Sequence, residues 1–314
     1  MGRRRPKGRD VNGVLILNKP AGMSSNDALQ KAKRLFFAAK AGHTGSLDPL
    51  ATGVLPICFG EATKFSQFVL ESDKEYRSTF TLGVKTETSD SDGEVIERKP
   101  APAITREQVE KALSQFEGDI EQIPSMYSAI KHNGQPLYKL ARKGITVERE
   151  PRKVTIFRID LLGFRTGDYP EVDVEVHCSK GTYIRSIAED LGQVLGCGAH
   201  VSALYRSGAG PFDEAQMFTL EELSEERGEG LAEVLDHNLF PVDAAVDDLP
   251  RVELDADSAH YLRNGQPVMV SGIYQIAAEH DKVRVFVDDG QFLGVAEVTD
   301  EGTVAPRRLV VEKN

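Results

Sequence analysis

Cysteine is scarce in this chain, and long apolar runs are missing from it. The three cysteines of the 314-residue sequence, Cys58, Cys178 and Cys197, are an odd number and include no close pair. This argues against a disulfide framework and against a Cys-x-x-Cys zinc site, so we interpret them as small buried side chains. No apolar run approaches the ~20 residues that a membrane-spanning helix needs. Because only the short apolar stretch 14–17 follows the basic N-terminus, we expect no signal peptide and a cytoplasmic location.

Positive charge is in deficit overall, but the deficit is not spread evenly. The formal net charge is -11, yet residues 1–153 hold 25 Lys and Arg against 19 Asp and Glu. Residues 131–153 alone hold seven basic side chains and two glutamates. A polyanion responds to the local field, so the acidic total does not exclude an RNA partner. Taken alone, such basic clusters are more often solvated surface than binding sites.

Hydrophobic periodicity predicts strands and helices in an irregular order. Strands are predicted over residues 14–17, 76–82, 154–164 and 172–178. Helices are predicted after an N-cap at Ser25 or Asn26, over residues 61–70, after the capping box at Thr105, and after Gly181. Because the elements do not repeat as βαβ units, the main domain is predicted to be α+β rather than doubly wound.

The pattern changes near residue 250, which indicates a second domain. Short predicted strands at 273–277, 283–287 and 292–298 are typical of a small β-barrel domain. We therefore divide the chain into a disordered basic N-terminus (1–10), a main domain (11–247) and a C-terminal domain (248–314).

The segment 42–56, GHTGSLDPLATGVLP, is the most informative part of the sequence. Its three glycines and two prolines indicate a tight loop that another backbone approaches closely. Asp48 precedes Pro49, which fits the N-cap of a helix. A carboxylate held rigidly in the wall of a cleft is the alternative, and these residues by themselves leave both interpretations open.

This segment resembles the catalytic motif of the TruB family of tRNA pseudouridine-55 synthases. Four further segments match the family in the same order: 17–25 (LNKPAGMSS), 74–93 (beginning KEYR), 122–144 (beginning QIPSMYSAIK) and 178–200 (beginning CSKGTYIRS). The resemblance is dense over residues 11–210 and loose beyond them. The extended basic N-terminus and the C-terminal region depart from the family pattern.

The resemblance implies both a fold and a reaction. The fold is a pseudouridine-synthase domain with a mixed, mainly antiparallel sheet flanked by helices, followed by a small PUA-like RNA-binding barrel. The reaction is isomerisation of uridine 55 in the T-loop of tRNA, with the base flipped out and its glycosidic bond re-formed through carbon. Because nothing is oxidised or lost, no cofactor and no metal are expected. The expected partner is the T-arm of tRNA, bound by a monomer without a guide RNA.

The resemblance also implies three catalytic residues. Asp48 is the essential carboxylate, and Arg185 is the cation that pairs with it and keeps it ionised. Tyr76 stacks on the flipped uracil and assists proton transfer. Without the resemblance, Tyr76 would be an ordinary half-buried strand residue and Arg185 a surface residue in the first turn of a helix.

Substrate contacts follow from the same comparison. His43 matches the residue that fills the gap left in the RNA stack, although by itself it is an ordinary turn residue. Leu204 matches an apolar pocket position, for which core packing is an equally simple interpretation. Tyr183 and Lys19 are further expected contacts. The insertion at about 124–153 is expected to clasp the T-arm by its shape, with the basic side chains Lys131, Lys139, Arg142 and Lys143.

Three other functions compete with this one. An RNA-binding or chaperone protein with an idle motif would keep the fold without turnover, and chaperone activity could also coexist with catalysis. A related synthase directed by guide RNA would share the catalytic residues. A glycoside hydrolase is the weakest alternative, because such enzymes generally place two carboxylates around the scissile bond.

Overall fold

The computed structural model describes residues 8–311, which form a nine-stranded sheet, a five-stranded sheet and two two-stranded sheets, together with short helices. The α-helices are α1 (Ser25–Leu35), α2 (Ser66–Glu71), α3 (Arg106–Leu113), α4 (Leu137–Ala141), α5 (Ile184–Val194), α6 (Leu220–Arg227) and α7 (Ala256–Arg263). The strands are β1 (Gly13–Lys19), β2 (Ala41–His43), β3 (Thr52–Phe59), β4 (Lys74–Leu82), β5 (Val84–Thr86), β6 (Val95–Arg98), β7 (Gly118–Gln122), β8 (Lys131–His132), β9 (Gln135–Pro136), β10 (Arg152–Arg165), β11 (Glu171–Cys178), β12 (Ala199–Ala209), β13 (Phe212–Asp213), β14 (Arg251–Leu254), β15 (Val268–Met269), β16 (Lys282–Val287), β17 (Phe292–Val298) and β18 (Thr303–Leu309). No helix within residues 8–311 is long and apolar enough to cross a membrane.

The large sheet holds nine strands within the described chain, and its main path runs β1-β3-β12-β4-β11-β10-β7. All of its pairings are antiparallel except the short parallel contact between β12 and β3. Strand β12 therefore lies between two strands that precede it in the chain. The predicted α+β fold with a mixed, mainly antiparallel sheet is confirmed.

Strand β11 illustrates why the sheet forms. Its side chains Val172, Val174, Val176 and Cys178 are at most 1% exposed, whereas the residues between them are half-buried. One face of the strand therefore packs into the core, as the alternation predicts. Helix α5 lies in the same core, and the apolar stripe predicted after Gly181 is buried there.

Helix α1 begins one residue earlier than predicted. Its N-cap is Ser24, whose hydroxyl accepts a hydrogen bond from Asp27 N at 3.1 Å, so the predicted cap at Ser25 or Asn26 is wrong. The hydroxyl of Ser25 instead accepts a bond from Leu47 N at 2.7 Å and donates to Leu47 O at 3.1 Å. Ser25 thus ties the helix to the residue that precedes Asp48.

Two other predicted elements differ from the structure. The helix predicted over 61–70 is a short 3-10 turn, Gly60–Lys64, followed by α2. The two are separated at the fully buried Phe65, whose ψ of -1° departs from the α-helical value. The strand predicted over 273–277 is a 3-10 turn at Ile273–Gln275, because Gly272 has a left-handed conformation and tightens the chain there. Apolar residues in so short a run do not distinguish a strand from a turn.

The C-terminal unit is a curled five-stranded half-barrel with the order β14-β16-β17-β18-β15. It packs on the main unit through Phe292, whose ring centroid lies 5.3 Å from that of Phe65. The ammonium group of Lys64 also donates to Leu309 O at 2.9 Å. In the N-terminal segment predicted to be disordered, residues 1–7 lie outside the described residues, and Arg9 forms a salt bridge with Asp236.

Candidate active site

Asp48 lies in the loop between β2 and β3. Its carbonyl accepts a hydrogen bond from Ala51 N at 3.0 Å, which closes a single turn, and no helix begins at Pro49. The N-cap interpretation is therefore wrong. The carbonyl of Pro49 accepts a bond from Gly22 N at 2.8 Å, so the loop is fixed to the segment after β1. The Asp48 carboxylate is left to make side-chain contacts.

Arg185 holds that carboxylate with two nitrogen atoms. Its Nε lies 3.0 Å from Asp48 Oδ2, and its Nη2 lies 3.2 Å from Asp48 Oδ1. The guanidinium is itself fixed, because it donates to Thr88 O at 2.9 Å and to Tyr127 O at 3.1 Å. The Arg185 side chain is only 4% exposed. Bidentate pairs of this kind fix orientation as well as charge, so the predicted Asp48–Arg185 pair is present.

A second carboxylate, Asp90, lies on the far side of Arg185. Its Oδ2 is 3.5 Å from Arg185 Nη1, and its Oδ1 accepts a hydrogen bond from Thr88 Oγ1 at 2.5 Å. Burial raises the pKa of Asp48, Arg185 opposes that shift, and the negative charge of Asp90 adds to it. The sequence segment 74–93 contained Asp90, but nothing in its pattern distinguished it from Asp92.

The Asp48–Arg185 pair lies at a cleft of about 550 Å³. Tyr76, Tyr183 and Leu204 also line this cleft, so five predicted site residues meet in one place. Burial raises the pKa of the Tyr76 phenol, so the hydroxyl stays protonated near neutral pH and can donate a hydrogen bond. The cleft thus combines an ionisable carboxylate, a cation, a neutral phenol and an apolar wall.

The backbone of Tyr183 is held by a side chain from strand β7. Gln122, which is 2% exposed, accepts a hydrogen bond from Tyr183 N at 2.9 Å and donates to Tyr183 O at 3.3 Å. These two bonds join β7 to the residue that caps α5. Arg185 follows two residues later, in the first turn of that helix.

Lys19 holds the loop of residues 44–51, which carries Asp48 and is called the catalytic loop after its expected role. It is 0% exposed, and its ammonium group donates to Pro20 O, Met23 O and Pro49 O at 2.8, 2.6 and 3.3 Å. Burial lowers the pKa of Lys19 to about 8. Lys19 was expected to contact the substrate. Its ammonium group instead bonds to three backbone carbonyls, and it is not among the residues that line the cleft.

His43 lies in β2 and is half-buried, outside the wall of the cleft. Burial lowers the pKa of its imidazole, and the nearby charge of Arg206 lowers it further. The ring is therefore neutral at physiological pH. Its Nδ1 is buried without a hydrogen-bond partner among the described residues.

The insertion contributes to the cleft in one part and to the surface in another. Ser128, Ala129 and Ile130 line the cleft. The four basic side chains predicted to hold RNA are all solvent-exposed: Lys131, Lys139, Arg142 and Lys143. The guanidinium of Arg142 lies 5.4 Å from the ring centroid of Tyr138, so its position on α4 is partly fixed.

Sequence reasoning missed several residues of the cleft wall, among them Lys74, Ser128 and Arg206. Lys74 is 6% exposed and donates to the carbonyls of Val69, Leu70 and Ser72, where burial lowers its pKa to about 8. Lys74 and Ser128 lie inside segments that the resemblance covered, but no local pattern indicated their burial.

Comparison with family models matches three consecutive parts of the chain. Residues 33–184 match the N-terminal domain of TruB family pseudouridylate synthases. Residues 185–247 match a tRNA pseudouridylate synthase B C-terminal domain, and residues 250–310 match the C-terminal model of pseudouridine synthase II TruB.

Individual proteins are similar over nearly the full chain. A tRNA pseudouridine synthase B from Saccharophagus degradans is 62% identical over 310 residues, which is 99% of this chain and 99% of that protein. Proteins of the same name from Stutzerimonas stutzeri and Vibrio campbellii are 56% and 55% identical, over 96% and 98% of this chain and equal shares of their own lengths. The predicted enzyme class, a tRNA pseudouridine synthase and hence an isomerase, is confirmed.

Solved structures agree at the level of the fold. A crystal structure of a Cbf5-Nop10-Gar1 complex aligns with a TM-score of 0.71 at 26% identity, covering 96% of this chain and 84% of that one. An H/ACA RNP bound to a substrate RNA containing 2'-deoxyuridine aligns with a TM-score of 0.73 at 23% identity, covering 99% and 92%. These matches support the fold, and the family models and the full-length relatives show that the chain belongs to the TruB family of pseudouridylate synthases.

Proposed function

We propose that this protein isomerises uridine to pseudouridine at position 55 in the T-loop of tRNA, with Asp48 as the essential carboxylate. The observation that carries the proposal is the bidentate contact between Asp48 and the buried Arg185 at the edge of the cleft. A carboxylate in that position is oriented by its partner and faces a space in which a base can bind.

The chemistry requires a few well-placed groups and no external reactant. The bond between N1 and the ribose C1' breaks, C1' rejoins the base at C5, and the proton of C5 is exchanged for one on N1. An ionised Asp48 supplies a nucleophile or a base for these steps. The protonated Tyr76 stacks on the base and donates a hydrogen bond, and Leu204 forms the apolar side of the site. Tyr183, held by Gln122, borders the same space.

The substrate base must leave its stack before it reaches Asp48. Extrusion costs a few kcal/mol, and stacking on an aromatic side chain recovers about 1–3 kcal/mol. We assign His43 to the vacated position in the RNA, because a neutral half-buried ring can fill space there without exchanging a proton. Lys19 holds the catalytic loop and is assigned no RNA contact.

The exposed basic side chains of the insertion would bind phosphates of the T-arm: Lys131, Lys139, Arg142 and Lys143. We propose that the enzyme needs no guide RNA, because this insertion can hold the tRNA unaided. We also propose that it acts as a monomer in the cytoplasm. The C-terminal half-barrel is proposed as a PUA-like RNA-binding unit beside the main domain. We propose the unit boundaries expected from the sequence, at residues 11–247 and 248–314.

The test maps pseudouridine in an unmodified tRNA after incubation with the protein. The wild type should convert uridine 55 alone, and a transcript with cytidine at position 55 should receive no pseudouridine. Asp48→Asn removes the charge at nearly constant volume and should bind tRNA normally with no detectable product. Product at another uridine would contradict the assigned position. Turnover above about a tenth of wild type in Asp48→Asn would contradict the role of the carboxylate, since such groups are worth ~10²–10⁴-fold.

A further inference from the structure

Arg206 is a buried cation without an acidic partner in the described chain. Its side chain is 1% exposed, and it makes no salt bridge with any carboxylate of residues 8–311. Removing a charge from water is costly unless hydrogen bonds or an opposite charge compensate for it. The groups that its guanidinium contacts therefore indicate what Arg206 does.

Two of those groups are backbone carbonyls on either side of Asp48, one just after β2 and the other in β3. Arg206 Nε donates to Val54 O at 2.7 Å, and Nη2 donates to Gly45 O at 3.4 Å. Asp48 lies between these two carbonyls in the chain. A single planar guanidinium therefore fixes the separation between Gly45, at the start of the loop, and Val54, in the strand that follows it.

The backbone of Arg206 reinforces this arrangement. Within the sheet Arg206 is paired with Gly53 on one side and with Tyr76 on the other. A Cβ atom at Gly53 would lie 2.3 Å from Arg206 O, and Gly53 has a φ of +100°, so a glycine is required there. Opposed residues of antiparallel strands project to the same face, so the side chains of Arg206 and Tyr76 are neighbours.

The guanidinium also borders the cleft beside Tyr76. Its positive charge lowers the pKa of Tyr76, against the larger upward effect of burial on that pKa. No hydrogen bond between Arg206 and Asp48 is present, and the cation nearest to the carboxylate is Arg185. Arg206 therefore has no direct bond to the carboxylate, and its contacts are the carbonyls of Gly45 and Val54 and the side chain of Tyr76.

We propose that Arg206 is a positioning residue, which holds Gly45 and Val54 at a fixed separation and thereby places Asp48 against Tyr76. The effect of Arg206 on catalysis rests on the proposed function, whereas its role in holding Gly45 and Val54 does not. A loop that can drift by about 1 Å loses on the order of 10² in rate, because the reacting groups are no longer aligned.

The experiment compares Arg206→Met, Arg206→Lys and Arg9→Met in the full-length protein. Arg9 is a matched control, since its guanidinium donates to two backbone carbonyls, Phe36 O at 2.8 Å and Ala232 O at 3.2 Å, its side chain is 17% exposed, and it does not line the cleft. Three quantities are measured: amide hydrogen exchange of residues 44–56, the dissociation constant for unmodified tRNA, and the single-turnover rate at saturating enzyme.

In Arg206→Met, exchange in residues 44–56 should accelerate, most clearly at Thr44 and Ala51, whose N–H groups now bond to Pro56 O and Asp48 O. The saturating rate should fall about 10²-fold with an unchanged dissociation constant. Arg206→Lys can reach one carbonyl at a time and should lie between Met and wild type in both exchange and rate. Arg9→Met should match wild type in all three quantities.

Wild-type exchange in residues 44–56 of Arg206→Met would overturn the proposal, as would a loss confined to tRNA affinity, which would make Arg206 an RNA ligand. Should the Met variant fail to fold, the Lys variant decides, because a folded Lys variant with wild-type exchange and rate refutes the tether. If the wild type itself forms no pseudouridine, the proposed function fails, and the exchange measurement still decides whether Arg206 holds the loop.

Discussion

The positive charges around Asp48 and those of the insertion lie in opposite environments. Around the catalytic loop four cations are buried: Lys19, Lys74, Arg185 and Arg206. The four basic side chains of the insertion are all solvent-exposed. Buried cations are saturated by backbone carbonyls or carboxylates and hold the protein in shape, whereas exposed ones remain available for phosphates. The same residue types therefore serve rigidity in one region and binding in the other.

The largest expected effect comes from removing a buried cation. Arg185→Met leaves Asp90 buried without its counter-charge, which should lower the free energy of unfolding by about 3 kcal/mol. Because Arg185 lowers the pKa of Asp48, its loss raises that pKa and protonates more of the carboxylate near neutral pH. The single-turnover rate should fall by about 10²–10³, as when one electrostatic donor is removed from an active site.

Arg106→Met provides the exposed counterpart, because Arg106 forms a surface pair with Glu110 at 2.8 Å. That change should cost no more than about 0.5 kcal/mol in urea unfolding and leave the rate unchanged. Equal losses of stability in the two variants would remove the distinction between buried and exposed charges.

Neutralising Lys139, Arg142 and Lys143 to glutamine should act on binding alone. The affinity for tRNA should fall roughly tenfold, and the slope of log affinity against log salt should flatten by about one unit per lost phosphate contact. Chemistry at saturating enzyme should be unchanged. The matched control neutralises Lys99, Arg106 and Lys111, which are also exposed and lie outside the insertion. An equal change of slope in the control would assign the binding to charge in general rather than to the insertion.

His43 lies between the two environments, since its ring is half-buried, but unlike those cations it is neutral. If it fills space, His43→Phe should retain most of the single-turnover rate, while His43→Ala should lose part of it, roughly tenfold, through poorer extrusion. A general acid or base would instead lose ~10²–10⁴-fold in both variants. The comparison should use intact tRNA and an isolated T-arm. A Phe variant as impaired as Ala on both substrates would contradict the assignment.

The smallest effect is expected at Asp92, an exposed residue whose negative charge raises the pKa of Asp48. Asp92→Asn removes that charge, so the pKa of Asp48 should fall and the carboxylate should stay ionised at lower pH. The acid limb of the single-turnover rate should then move to lower pH, while the plateau stays the same. A limb that moves to higher pH would show that the ionisation of Asp48 does not control it.

Much of the fold could be predicted because many of its strands and helices are encoded in local patterns of the sequence. The alternation in β11 and the capping box at Thr105 correspond to a strand and a helix in the structure. The turn at Ile273–Gln275 could not be distinguished from a strand, because the run is short and the packing of the half-barrel decides its conformation.

The sequence predicted those residues of the site that belong to recognisable motifs. Asp48, Tyr76 and Arg185 meet in one cleft as expected. Asp90 and Arg206 were not predicted, because their importance depends on burial and on partners far away in the chain. Arg206 bonds to Val54, which is 152 residues away, and no local pattern encodes a contact of that range.

The position of β12 has a consequence for how the protein is made. Strands β3 and β4 leave the ribosome early, but β12, which separates them in the sheet, follows only after Cys178 and the whole of α5. Synthesis from Leu82 to Ala199 takes on the order of ten seconds. Throughout that interval the facing edges of β3 and β4 lack their final partner, and unpaired strand edges promote aggregation. The nascent chain therefore depends on β12 both to close its sheet and to bring Arg206 to the catalytic loop.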